Sequence, residues 1–366
     1  MSVSQKKWLL ILIILALNFI SLVSLYSSLH RSGEFVGKFI FLKQVIWIIL
    51  GWSIAIIFSF INYRLFYDLS VWVYFISLAF LLIVASLGKV QMGAQRWLEF
   101  LGITFQPSEI AKLSALLIIC RFFSGEKKVS FSFWGSFFRE VIKPFIPIMI
   151  LFLAIFIQPD LGTSLILIFL FLLMLIGAGL RRRNLILFML ILLLSLPLGW
   201  GLLKDYQRAR LLVFVNPNSD PLGAGYTIIQ SKIAVGSGRL LGKGFLSGTQ
   251  NQLNFIPARH TDFIFTVFAE EWGFLGCIFL LFLYYWLLKI ILDIASKLKD
   301  RFSYLLCIGI FSLFFIHIFI NISMVMGLLP VVGLPLLFFS YGGTYTIINF
   351  ILIGIFLNII KTHKEI

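Results

Sequence analysis

Apolar residues come in long, nearly unbroken runs, and polar residues gather in the stretches between them. The runs fall at 8–29, 39–61, 69–87, 107–124, 144–157, 163–180, 185–203, 272–288, 303–327 and 343–360. Crossing hydrocarbon as a helix takes about 20 apolar residues, so the pattern predicts about ten transmembrane helices. The run at 144–157 is short and needs its flanks. An even number places both termini on one side. No strands are expected, because within lipid only helices and closed barrels pair every backbone group. The first run follows Lys6 and Lys7 but exceeds the roughly 7–15 residues of a signal-peptide core, so a retained anchor is expected. The expected class is an all-α polytopic membrane protein, with residues 1–366 forming a single transmembrane domain.

Composition narrows the choice. Apolar residues make up 60% of the chain and charged residues 12%, against about 45–50% and about 25% in soluble domains. That excess excludes a soluble enzyme, a nucleic-acid-binding domain and a disordered chain. The formal net charge of +15 would suggest nucleic acid in a soluble protein. Here the basic residues cluster between apolar runs, which is a topogenic signal. With the N-terminus cytoplasmic, 17 of the 30 Lys and Arg lie on that side, Arg181, Arg182 and Arg183 among them. Seven of the remaining 13 lie in one long segment, whose length weakens its vote. An N-in, C-in topology follows. Cys120, Cys277 and Cys307 lie in or beside apolar runs and read as small core residues.

The long segment spans residues 204–262, between the seventh and eighth helices, and faces outward. It is rich in glycine, with Tyr226, Ile228, Ile229, Phe245 and Phe255 interleaved, so order is expected. Loops of such length are usually functional or disordered. Its run Gly236-Ser-Gly-Arg-Leu-Leu-Gly-Lys-Gly244 fails as a phosphate loop of the Walker type: Gly244 stands where Ser or Thr should hold magnesium. Two readings stay open there, a tight surface loop or amides that cradle a phosphate beside Arg239 and Lys243.

Asp262 is the most suspect acid. It stands where the outer segment runs into apolar sequence, after Arg259 and His260. A carboxylate at such an edge is costly unless paired or functional. Partial burial would suit it to act as a general base, and the plainer alternative is a helix N-cap. Glu270 and Glu271 follow by eight and nine positions; at most one shares the Asp262 face of a helix, and pairing with a cation is the simpler role. Glu109 and Lys112, three apart in Gln106-Pro-Ser-Glu-Ile-Ala-Lys112, suit a pair that either packs or walls a polar cavity. Arg96 and Trp97 resemble an interface anchor, and Asp160 a helix cap. Leu329–Pro335 and Ser340–Gly343 break the apolar sequence, which hints at a cavity. His317 and Asn321, four apart, are expected to satisfy each other.

Together the motifs are similar to the SEDS family (shape, elongation, division and sporulation), and the likeness covers nearly the whole chain. It rests on Gly93-Ala-Gln-Arg-Trp-Leu98, Gln106–Lys112, Gln158-Pro-Asp-Leu-Gly-Thr163 and Asp205-Tyr-Gln-Arg-Ala-Arg210. It continues through Asp220–Tyr226, Gln230-Ser-Lys232, Gly248-Thr-Gln250, His260-Thr-Asp-Phe263, Glu270-Glu271 and Ser340-Tyr-Gly-Gly343. The wording of the long loop resembles the RodA-like branch more than the FtsW-like one. Departures are Ala258 where Glu is usual, Gly238-Arg-Leu240 for Gly-Gly-Leu, and Thr344-Tyr-Thr346 for small residues.

The resemblance implies a peptidoglycan glycosyltransferase in the bacterial cytoplasmic membrane, with its active site on the extracytoplasmic side. Such a protein polymerises lipid II for cell elongation beside a class B penicillin-binding protein. The reaction inverts at the anomeric carbon and expels undecaprenyl pyrophosphate, so one base suffices, whereas inverting glycosidases need two carboxylates. Asp262 is the expected base. Arg208, Arg210, Lys232, Lys243 and Arg259 are candidates to meet the pyrophosphate, with Mg2+ or Mn2+ as a possible aid and no organic cofactor. Glu109 and Lys112 would line the adjoining cavity. The competing functions are a lipid II flippase, a division polymerase and a non-catalytic scaffold for the penicillin-binding protein.

Overall fold

The computed structural model describes residues 2–30, 34–91, 94–100, 103–125, 133–223 and 225–363. Gly93, Lys127, Lys128, Ala224 and Lys364, which bear on the motifs and charge pattern, lie outside them. All ten apolar runs fall on helices: α1 Val3–Leu29, α2 Glu34–Phe60, α3 Leu65–Leu87, α4 Pro107–Gly125, α6 Lys143–Ile157, α7 Leu161–Gly177, α8 Arg182–Leu202, α12 Ile264–Ala295, α13 Arg301–Val325 and α14 Gly343–Thr362. The short α5, Phe133–Phe137, precedes α6, and the long outer segment holds α9 Asp205–Val215, α10 Tyr226–Ser237 and α11 Thr249–Gln252.

Among the described residues, seven helices are long and apolar enough to cross a membrane, and α7 is a shorter apolar helix of 17 residues. The short run at 144–157 gains its length from its N-terminal flank, giving a continuous 24-residue segment, Trp134–Ile157. Pro144 has no N–H to continue the regular ladder, and a turn of π-helix at Phe138–Ile142 leads into it. Helix α2 keeps Phe39, Leu42, Ile46 and Ile49 exposed, a row of apolar side chains suited to lipid. The chain is a multi-pass membrane protein.

Strands do occur, against expectation. Residues Lys89–Gln91 (β1), Ala94–Phe100 (β2) and Ile103–Phe105 (β3) form an antiparallel sheet in the order β1-β2-β3, with Leu98 opposite Phe105. The sheet lies between α3 and α4, outside the apolar runs, where lipid does not impose the helical solution.

The chain divides into two compact units, each assembled from three separate stretches. One comprises residues 1–55, 205–290 and 317–351, the other 56–204, 291–316 and 352–366. In the second unit, α3 packs on α4 and α6 on α7. Its core includes a ring cluster of Phe145, Phe171 and Phe188 with centroids 5.1–5.5 Å apart. The first unit holds Asp262 and the long segment from Asp205 onward.

Candidate active site

Within the first unit, α12 is interrupted at Gly273, whose φ of 64° and ψ of −162° leave the helical region. A break strands carbonyls before it and amides after it. The glycine-rich loop supplies both missing partners. Lys243 N and Gly244 N donate to Glu270 O and Glu271 O, each at 3.0 Å, while Phe274 N and Leu275 N donate to Arg239 O and Leu240 O at 2.8 and 3.1 Å. The approach is so close that a Cβ on Gly242 would stand 2.1 Å from Glu271 O. Amides that were candidates for a phosphate cradle therefore bind α12, and the loop is the tight one.

Lys243 continues the same arrangement. Its Nζ lies 2.7 Å from Glu270 Oε1, and the Glu270 side chain is fully buried. Glu270 also accepts from Gln250 N, Asn251 N and Thr249 Oγ1, so it caps α11. Glu271 turns instead to Ser27 Oγ on α1. The two adjacent acids thus face different partners, as a helix requires.

Arg259 is buried and points at the end of α1. Its Nε donates to Ser28 O at 2.7 Å, and its Nη1 to Asn251 O and to the Asn254 side chain. With Asn251 Nδ2 and Gln252 Nε2 on Ser27 O, these donors meet carbonyls of the helix's last turn. Burial lowers the Arg259 pKa. Burial, and then the neighbouring Arg259 charge, also lowers that of His260, which keeps its imidazole neutral at pH 7.

Asp262 occupies the turn ahead of α12 and is partly exposed. Three consecutive carbonyls of this turn are held from outside it. Tyr341 N donates to His260 O at 3.1 Å, Ser340 Oγ to Thr261 O at 2.7 Å, and Asn321 Nδ2 to Asp262 O at 2.8 Å. Gly333 of the following loop approaches the carboxylate, where an added Cβ would lie 3.4 Å from Asp262 Oδ2. The expected His317–Asn321 pairing is not formed. Asn321 bonds Asp262 O and Leu334 O, and His317 Nδ1 lies 3.3 Å from Pro335 O. Spacing of four makes two helical residues neighbours, but the backbone of the non-helical 329–340 stretch offers both of them nearer acceptors.

The basic candidates separate into groups. Arg210 Nη1 donates to Val331 O at 3.3 Å, two residues from Gly333. The Lys232 stem crosses Gly327, at the foot of the same stretch. These two cations border the loop that passes Asp262. Arg208 lies on exposed α9, 3.9 Å from Asp205, while Lys243 and Arg259 hold Glu270 and the α1 terminus.

Glu109 and Lys112 belong to the second unit and pair with each other at 2.8 Å, both buried, in the first turns of α4. Asp160 caps α7 through Thr163 N and Thr163 Oγ1, and Arg96 approaches it at 3.7 Å. Sequence reasoning passed over the part Asn321 plays beside Asp262. The available signal was an amide inside an apolar run, which must find partners. Among the described residues, no group of three or more His, Cys, Asp or Glu converges to hold a metal ion.

The chain is a multi-pass helical bundle with a partly exposed carboxylate, Asp262, on a turn held at three successive carbonyls and with Arg210 and Lys232 along the adjoining loop. The chain belongs to the FtsW/RodA/SpoVE family of cell cycle proteins, whose model matches residues 7–365. It is 38% identical to the peptidoglycan glycosyltransferase MrdB of Escherichia coli K12, covering 97% of this chain and 93% of that one. It is 28% identical to the peptidoglycan glycosyltransferase RodA of Treponema pallidum, covering 93% and 94%. Among solved structures, a chain of a peptidoglycan synthase complex that coordinates polymerization and crosslinking superposes with a TM-score of 0.81, at 29% identity and 97% coverage of both chains. The rod shape determining protein RodA of Thermus thermophilus superposes at 0.71, with 25% identity, over 97% of this chain and 96% of that one.

Proposed function

We propose that this peptidoglycan glycosyltransferase polymerises lipid II into β-1,4-linked glycan strands at the outer face of the bacterial cytoplasmic membrane, with Asp262 as general base. The observation that carries the reading is the placement of Asp262: a partly exposed carboxylate on a turn pinned at three successive carbonyls, beside a loop that Arg210 and Lys232 border. A base held in one geometry is what proton abstraction in the transition state requires.

In the reaction, the 4-hydroxyl of an N-acetylglucosamine in lipid II attacks the anomeric carbon of the growing glycan. The new C–O bond forms as the bond to undecaprenyl pyrophosphate breaks, and the hydroxyl proton passes to Asp262. The pyrophosphate departs with the bonding electrons, so no acid need protonate it. Arg210 and Lys232 lie best to meet that charge. Arg208 is a more distant helper, whereas Lys243 and Arg259 act through the loop they hold. A Mg2+ or Mn2+ ion bound to the pyrophosphate oxygens would add positive charge opposite the leaving group. Glu109 and Lys112, paired in α4, stay candidate contacts for the lipid-linked substrate.

Ten membrane crossings with both termini cytoplasmic would put Asp262 at the outer face, and a class B penicillin-binding protein is the partner that crosslinks the product. The RodA-like wording of the long loop favours elongation. The test is a preparation of the full chain with its cognate penicillin-binding protein, inactivated at the transpeptidase serine, supplied with labelled lipid II. Glycan ladders from the wild type and none from Asp262→Asn, at matched folding and complex formation, are expected. Ladders from Asp262→Asn would remove the base. Ladders from neither, with lipid II crossing liposome bilayers, would make the protein a flippase.

A further inference from the structure

We infer that Asn321 is a positioning residue for the general base. The inference rests on the role proposed for Asp262. Asn321 stands on α13, fully buried, 59 positions from the turn it serves. Its Nδ2 donates to two main-chain oxygens at once, Asp262 O at 2.8 Å and Leu334 O at 2.6 Å. Two carbonyl acceptors at those distances demand the NH2 side of the amide and both of its hydrogens.

The two acceptors belong to the two walls of the site. One is the main chain of the base itself. The other is next to Gly333 of the 329–340 loop, where an added Cβ would lie 3.4 Å from Asp262 Oδ2. A single amide therefore bonds the base's own carbonyl and the loop beside its carboxylate at once. Ser340 and Tyr341 hold the preceding two carbonyls, but both lie in one turn and neither bonds Leu334. Ser340 Oγ instead accepts from Leu336 N at 2.8 Å. Ser340 ties the turn to the loop at Thr261 and Leu336, whereas Asn321 ties it at the main chain of the base itself and beside Gly333.

A misplacement of about 1 Å can cost a reaction about 100-fold. The experiment uses the full chain with its cognate penicillin-binding protein, measuring initial rates of glycan formation against lipid II concentration. Asn321→Leu keeps the branched shape and removes both donors; a fall in kcat of about 100-fold is expected, with KM for lipid II unchanged. Asn321→Gln, which keeps an amide, should recover part of kcat. Rates are referred to the monodisperse fraction, and thermal unfolding is followed in parallel. Should Asn321→Leu fail to purify, Asn321→Ser, with one donor, carries the same comparison and should lose less. A merely structural residue would give less folded protein with full kcat, and that result overturns the proposal, as does a rise in KM at constant kcat. Asp262→Asn is assayed beside it. Polymerisation retained there removes the base and the role of Asn321 together, whereas its loss alongside an unchanged kcat in Asn321→Leu removes only the latter.

Discussion

Lys243 Nζ lies 2.7 Å from Glu270 Oε1, joining an outer loop to a carboxylate that has no exposed surface. Removing one partner of a buried pair leaves the other charge uncompensated, at a cost of about 3–5 kcal/mol. Lys243 keeps 26% of its side chain exposed, which argues for the lower end. Lys243→Met is expected to destabilise the protein by about 3 kcal/mol, and the double substitution with Glu270→Gln to recover most of that. Thermal unfolding in detergent checks both, and equal unfolding temperatures for Lys243→Met and wild type would refute the pairing.

The α12 break depends on the glycine loop that meets it. Gly242 has a φ of 81°, and a Cβ there would stand 2.1 Å from Glu271 O. Gly242→Ala should cost more than about 1 kcal/mol, because the alanine meets both a strained backbone and a fixed carbonyl. Gly236, near the end of α10, has nothing within 4 Å of an added Cβ. Gly236→Ala should be neutral or stabilising by up to about 1 kcal/mol. Comparing the two unfolding temperatures isolates the contact from glycine content.

His260 carries a pH dependence. Its folded pKa lies below the ordinary 6.5, through burial first and the Arg259 charge second. The unfolded chain therefore binds a proton that the fold resists. The stabilisation is complete above pH 6.5 and is lost as the pH falls toward the folded value. His260→Gln should flatten this part of the profile. Unfolding measured between about pH 5 and 7.5 should give a different slope for wild type and His260→Gln, and identical profiles would refute the assignment.

Among the exposed cations, position should matter more than charge. Arg210 borders the 329–335 stretch, whereas Arg208 pairs along α9 with Asp205. Arg210→Ala and Lys232→Ala are expected to lower kcat/KM by about 10-fold, or ~1.4 kcal/mol, with Arg208→Ala closer to wild type. Polymerisation rates on labelled lipid II decide it, and equal losses at all three positions would indicate a diffuse field rather than a local site.

The ten apolar runs were legible as helices because membrane crossing is governed by local composition and length, and each run carries that information itself. Asp262 was legible for a similar reason, since an acid at the edge of an apolar run is costly wherever it occurs. The short run at 144–157 needed its flanks, and Trp134–Phe138 with the π turn supply them just outside its apolar window. The sheet at residues 89–105 escaped notice because its strands fall outside the lipid constraint that favoured helices.

Which polar group meets which was a different matter. Lys243 could have faced a phosphate as readily as Glu270, and Arg259 as readily as the α1 carbonyls. The Gly273 break could not be placed until the loop that pairs with it was seen. Asn321 and His317 share a helical face, yet they turn to backbone brought close by a non-helical stretch. Burial and periodicity are properties of a short window of chain, so the sequence alone determined where the apolar helices lie and singled out Asp262 as an acid at the edge of one. A hydrogen bond acts over about 3 Å in space and carries no trace in the spacing between its partners, so only the tertiary structure decided how Asp262 is held.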